Sequence, residues 1–145
     1  MQLNIDWLAR ELRIDPLSKA QRNALISAFS VEFIGKDMPV IHQNTAVRHL
    51  YILHSGSLRI VHKNSSRVVT LNTSSNSRSF GEISFFGDEP ASANVLAETP
   101  CEVYKISCEQ FQRLMREHAD LTMKLMAYVL RSMGDVIRGM DNAKH

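Results

Sequence analysis

80-FGEISFFGDEPASAN-94 opens on Gly81–Glu82, runs through a short apolar turn and closes on the small residues Ala91, Ser92 and Ala93. Glycines bracketing a short turn mark a backbone that approaches something closely, and successive N–H groups there form a concavity suited to an anion. Yet no lysine or arginine stands between Phe80 and Asn94. The stretch reads as a ligand cradle without its positive charge.

The chain around it changes period twice. From Ser30 to Ile106 the apolar runs are short and rich in β-branched or aromatic residues: SVEFI, PVIH, LYILHSGSLRIVH, RVVTL, ANVLAE and EVYKI. Each fits a strand. Turn residues separate them at Ser55–Gly56, Asn64–Ser65–Ser66, Asn72 to Ser79 and Thr99–Pro100. Many short strands at this spacing predict a jelly-roll barrel rather than alternating strands and helices.

Helical zones flank the strands. Ile5, Leu8, Ala9 and Leu12 recur at helical spacing, and SKAQRNALISAF starts with Ser18 as N-cap and Gln21 at the reciprocating position. Ser107 and Gln110 repeat that spacing before Phe111, Leu114 and Met115. His118–Ala119–Asp120 reads as a joint, with Asp120 capping a long last helix. The expected organisation is N-terminal helices over 1–29, a β jelly roll over 30–106 with the cradle at 80–95, and C-terminal helices over 107–145, in one domain.

The last helix carries two apolar faces. Leu121, Leu125, Val129 and Val136 suit packing on the barrel. Met123, Met126, Leu130, Met133, Ile137 and Met140 alternate spacings of three and four, the seam of a coiled coil. One apolar stripe is enough for a surface helix, so the second predicts pairing with another copy of the chain. One wide buried face is the alternative.

Bulk properties narrow the function classes. A formal charge of +2 makes no general case for nucleic acid, which needs a basic stripe. Cys101 and Cys108 are too few for a disulfide scaffold and read as small apolar residues of a reducing cytosol. MQLNIDWLARELRIDPLSK has acidic residues and no apolar run, unlike a signal peptide, and no segment approaches the ~18 apolar residues of a membrane span. The expected location is the cytoplasm.

The chemistry-bearing residues offer little to catalysis. Histidines 42, 49, 54, 62, 118 and 145 show no metal-binding spacing, although a jelly roll can gather histidines from several strands. Glu82 and Glu89 can be drawn as an acid/base pair, but nothing in the sequence brings a substrate to them. A metal-dependent jelly-roll enzyme is therefore the least favoured class, and no metal or cofactor is expected.

From Leu17 to Met140 the chain resembles the cyclic nucleotide-binding domain family, which includes the catabolite activator protein and the regulatory subunit of cyclic-AMP-dependent protein kinase. LYILHSGSLRIVH is similar to the family's central strand–turn–strand, FGEISFF with PASANV to its phosphate-binding cassette, and CEVYKISCEQFQRLM to the last strand and following helix. The resemblance implies a double-stranded β-helix (jelly-roll) barrel, mainly β with flanking helices, plus a C-terminal dimerisation helix. It also implies a non-enzymatic regulatory or sensor role.

Carried onto this chain, the resemblance makes Glu82 the carboxylate that accepts from the ribose 2′-hydroxyl. Gly81, Ile83 and Ser84 become the backbone cradle, Ala93 a backbone contact, and Ser92 a hydroxyl near the phosphate. The family's phosphate-pairing arginine falls at Ala91. A partly buried, bidentate arginine–phosphate pair is worth on the order of 3–5 kcal/mol, so weak or altered cyclic nucleotide binding is expected. Asp37 and Asn44 stand at turn-glycine positions, and both residue types tolerate left-handed backbone. NSRS replaces the family's Gly–Asp turn and puts Arg78 near the cradle entrance, as a possible substitute cation.

The family's transcription factors continue into a helix-turn-helix, whereas this sequence ends at His145. No direct DNA binding is expected, and a regulatory protein partner is the expected recipient of any signal. The alternative from a different class is a pseudo-sensor that binds no nucleotide and works as a protein-interaction module.

Overall fold

The computed structural model describes residues 2–62, 68–75 and 78–143, with 135–143 given as helix backbone alone. Two helices come first, α1 (Ile5–Glu11) and α2 (Lys19–Ala28). Five strands follow: β1 (Phe29–Ile34), β2 (Pro39–Ile41), β3 (His49–Ser55), β4 (Ser57–Val61) and β5 (Val68–Asn72). Next come β6 (Ser79–Phe80), the short helix α3 (Glu82–Gly87), β7 (Asn94–Ala97) and β8 (Cys101–Ser107). Helices α4 (Cys108–Glu117) and α5 (Ala119–Ala143) come after the last strand.

Helix ends form where side chains satisfy the free backbone N–H groups. Asn4 Oδ1 accepts from the Trp7 N–H at 3.1 Å and starts α1. Ser18 and Gln21 make the full reciprocal box expected of them, at 3.1 and 2.9 Å. Ser107 Oγ accepts from the Gln110 N–H at 3.1 Å and opens α4.

The reading of Asp120 as a cap is corrected. Helix α4 closes with the His118 N–H on Leu114 O at 2.7 Å, and α5 restarts at Ala119. Asp120 therefore lies inside the first turn, where its carboxylate accepts from Gln21 Nε2 at 3.0 Å and ties α5 to α2.

The strands form two antiparallel four-stranded sheets, ordered β1-β8-β3-β6 and β2-β7-β4-β5. Their facing sides enclose a barrel core that includes Tyr51, Leu53, Leu58, Leu71, Phe80, Val95 and Val103. The outer side of the first sheet carries a second core. There Leu50, Ile52, Tyr104 and Ile106 meet Leu8, Leu12 and Leu25 of the N-terminal segment and Leu121, Leu125 and Val129 of α5.

This double burial explains why β3 reads as a near-continuous apolar run. Successive side chains point to opposite faces, and here both faces are covered. Truncating a fully buried leucine such as Leu121 to alanine costs about 2–5 kcal/mol, so the seating of α5 on the sheet is substantial.

Turn chemistry holds the strand ends. Gly56 links β3 to β4 at φ +94°, and a Cβ there would fall 2.4 Å from the Pro100 carbonyl oxygen. Asp37 and Asn44 both adopt left-handed backbone, at φ 67° and 68°, as their side chains allow. Cys101 is buried in the barrel core and Cys108 is half-buried, both as free thiols. Among the described residues, no helix is long and apolar enough to cross a membrane.

Candidate functional site

The cradle begins where β6 ends. Gly81 takes φ +82°, and a Cβ at that position would meet the His49 carbonyl oxygen at 3.2 Å and the Tyr51 ring at 3.3 Å. Any side chain there would be strained on both counts. The left-handed step turns the chain abruptly into α3, whose first turn presents Glu82, Ile83 and Ser84. The short helix closes at Asp88, again left-handed at φ 56°. Behind it Tyr51 and Phe80 stack at 4.9 Å and 8°, a rigid floor for the turn.

Residues 91–93 form the opposite wall and are fastened by backbone bonds. The Ala91 N–H donates to Thr45 O at 2.8 Å, and Ala91 O accepts from the Asn44 N–H at 2.8 Å. This pairing depends on the left-handed turn at Asn44. Ser84 Oγ accepts from the Val47 N–H at 3.1 Å, so that hydroxyl braces the site rather than opening into it.

All seven cassette residues named from the sequence line one cavity of about 110 Å³. Gly81, Glu82, Ile83 and Ser84 come from one side and Ala91, Ser92 and Ala93 from the other, over a floor of Ile41, Val47, Ile60, Phe80 and Val95. Among the described residues, that lining contains no lysine or arginine. Its charged group is the Glu82 carboxylate, whose Oε2 is buried without a hydrogen-bond partner. Burial pushes the Glu82 carboxyl above the ordinary carboxylate range, against a smaller opposing effect of its own backbone N–H. The arrangement can take hydrogen bonds from a ligand's hydroxyl groups, but it offers an anion little beyond backbone dipoles.

Arg78 is not part of this cavity, which corrects its placement at the cradle entrance. Its guanidinium donates to the carbonyls of Leu53 (3.4 Å), His54 (3.3 Å) and Thr73, and lies 5.3 Å above the Trp7 ring. The reason is satisfaction: three carbonyl acceptors and an aromatic face leave the guanidinium no drive to reach the cradle.

His62 was missed as a site residue. Its Nδ1 lies 3.1 Å from the carbonyl oxygen of Ser92, a residue of the cavity wall, while His62 itself is outside the lining. The alternation Leu58, Ile60, His62 was the available signal, since it sends all three to one face. His54, the other strand histidine, is committed elsewhere, 2.8 Å from Glu102 and stacked on Tyr104 at 4.8 Å.

The seam residues show a mixed placement. Met123 and Leu130 are strongly exposed, at 71% and 65%, as a second apolar face requires. Met126, Leu130 and Met133, however, also line a groove of about 450 Å³ shared with Ile83, Phe86 and Gly87 of α3. Leu121, Leu125 and Val129 are buried against the sheet. The side chains of Val136, Ile137 and Met140 lie outside the described residues.

Comparison with known proteins bears on this geometry. Residues 31–118 match the family described as the cyclic nucleotide-binding domain. The chain is 30% identical over 105 residues to the cAMP-activated global transcriptional regulator CRP of Pasteurella multocida, covering 71% of this chain and 50% of that protein. It is 30% identical over 111 residues to the cAMP-dependent protein kinase regulatory subunit of Yarrowia lipolytica, covering 76% of this chain and 29% of that protein. The chain thus spans half or less of the length of these curated relatives. A cyclic nucleotide-binding domain from Methylobacillus flagellatus superposes with a TM-score of 0.79 at 15% identity, over 93% of this chain and 79% of that one. At that identity the likeness shows the shared fold.

Proposed function

The chain belongs to the cyclic nucleotide-binding domain family, and from that premise we propose that it is a non-enzymatic regulatory domain whose cradle binds cyclic nucleotides weakly or in an altered mode. One observation carries the reading. Seven cassette residues converge on a single cavity around an unpartnered Glu82 oxygen, and among the described residues no arginine or lysine lines it. The carboxylate is placed to receive a sugar hydroxyl, while Ala91 leaves the phosphate without its usual charge partner. Losing such a pair weakens affinity by roughly a hundred- to several-thousandfold. Calorimetric titration with cyclic AMP and cyclic GMP tests this: dissociation constants well above micromolar are expected, and submicromolar binding overturns the reading.

The output side of the proposal is α5. Ile83 belongs to both the cradle and the α3–α5 groove, so a ligand that moves α3 biases the position of α5. The exposed Met123 and Leu130 face supports pairing of two copies through α5 in the cytoplasm. Leu130→Glu is expected to give monomers by light scattering, and an unchanged dimer mass removes the seam from the proposal. The low net charge supports a regulatory protein partner over direct contact with DNA.

The α3–α5 groove favours one second reading, a pseudo-sensor that binds no nucleotide and presents this apolar surface to a partner. A thermal-shift screen across cyclic mono- and dinucleotides separates the two. A true ligand stabilises the folded state by mass action, and no shift with any of them selects the interaction module.

A further inference from the structure

The inner face of β4 runs out at a group able to carry the charge the cradle lacks. Leu58, Ile60 and His62 alternate along the strand and its end, so all three point toward the barrel side. Leu58 is fully buried in the barrel core, and Ile60 lines the cradle. His62 comes next, with Nδ1 3.1 Å from the carbonyl oxygen of Ser92, a residue of the cavity wall.

A carbonyl oxygen only accepts, so Nδ1 bears the proton in this bond and Nε2 is the ring's remaining site. When the imidazole is protonated, Nε2–H becomes a second, charge-assisted donor. Ser92 immediately follows Ala91, the position of the absent guanidinium. The imidazole therefore reaches the 91–93 wall from the end of the neighbouring strand of the same sheet.

We propose that His62 supplies the cradle's cation, so that this site holds a cyclic phosphate more tightly as pH falls. The proposal rests on the reading of the cavity as a cyclic nucleotide cradle. Among the described residues, the titratable side chain that lines the cavity is Glu82 on α3, and His42, just after β2, is outside that lining. The neighbouring β7 and β5 present the neutral Asn94 and Val68. Glu82 acts in the same direction, since its carboxylate repels a phosphate when ionised and ceases to when protonated. His42 is exposed, and the neighbouring turn is held by other bonds: Gln43 N–H to Asn94 Oδ1, and Thr45 N–H to the His42 carbonyl.

The test is calorimetric titration of cyclic AMP and cyclic GMP between pH 5.5 and 8.0 on the full chain, alongside His62→Gln and His62→Arg. The wild-type dissociation constant is expected to tighten about tenfold from pH 8 to pH 6. His62→Gln should retain only the shallower slope due to Glu82, and His62→Arg should keep that same shallow slope while binding more tightly than wild type at pH 8. A flat wild-type profile, or a full slope persisting in His62→Gln, overturns the role of His62 while leaving the nucleotide cradle standing. Absence of binding at every pH, in His62→Arg as well as wild type, removes the cradle and the His62 proposal together.

Discussion

Under α1, the side chains of Arg78, His54, Tyr104 and Tyr128 are tied down, whereas at the cradle the Glu82 carboxylate faces an apolar cavity with one oxygen unpartnered. Arg78 is fixed by three carbonyls and the Trp7 face. His54 pairs with Glu102 at 2.8 Å, the Tyr104 hydroxyl accepts from the Asn4 N–H at 2.9 Å, and Tyr128 donates to Glu11 at 2.8 Å. The first region lies on the outer side of the first sheet, the cradle takes its floor from β2, β4 and β7 of the second sheet with Phe80 of the first, and the two differ in what they leave open. Most buried polar groups in stable structure are satisfied; Arg59 Nε and Ser79 Oγ are also unpartnered, but of the three Glu82 is the one that lines a cavity able to admit a partner from outside. The α1 region holds the fold together, and the cradle is kept available.

The sharpest way to test that contrast is to give the cradle the charge it lacks. Ala91→Arg is expected to raise affinity for a cyclic nucleotide by roughly a hundred- to several-thousandfold by calorimetry. No gain in a variant that melts like the wild type would mean the cavity is not a phosphate site. The reciprocal experiment removes the ring that organises the other region. Trp7 packs edge-on against His54 at 4.7 Å and Tyr104 at 5.7 Å, so Trp7→Ala should destabilise the fold by about 2–4 kcal/mol in urea. Circular dichroism is the readout, because Trp7 is the chain's one tryptophan. A loss below about 0.5 kcal/mol would show that the cluster is not structural.

The smallest expected effect is on stability against pH. Glu82 is raised above its unfolded value, so the folded state favours its protonated form. That contribution is fully present below the unfolded carboxyl pKa and is lost as pH rises through the raised folded one. Glu82→Gln should therefore raise the melting temperature of the ligand-free protein at pH 7.5, with the gain shrinking toward pH 4. A variant less stable than wild type at pH 7.5 would mean that the ionised carboxylate is structural, like the polar groups under α1.

Much of this was legible beforehand, and the failures share one cause. The Ser18–Gln21 box, the left-handed Asp37 and Asn44, and the strand runs are local, decided within a few residues by capping and turn chemistry. The seven cassette residues converged as named because they sit on two short segments close in the chain, the start of α3 with its N-cap and the stretch after that helix. Arg78 was misplaced because chain proximity to the cassette says nothing about which acceptors lie within reach of a long side chain. Asp120 was misread because the joint at His118 lets α5 restart at once, leaving the aspartate free to bond Gln21 from another helix.

Taken alone, the residue pattern determined the order of helices and strands, the left-handed turns, the identity of the cradle and the absence of a positive charge at Ala91. These follow from side-chain type and spacing along the chain. Only the tertiary structure decided that Arg78 turns to Trp7, that His62 reaches Ser92 from the neighbouring strand, and that the α5 seam shares a groove with α3. Each of those depends on the register between segments far apart in sequence, and register is set by how two buried faces of one sheet pack at once.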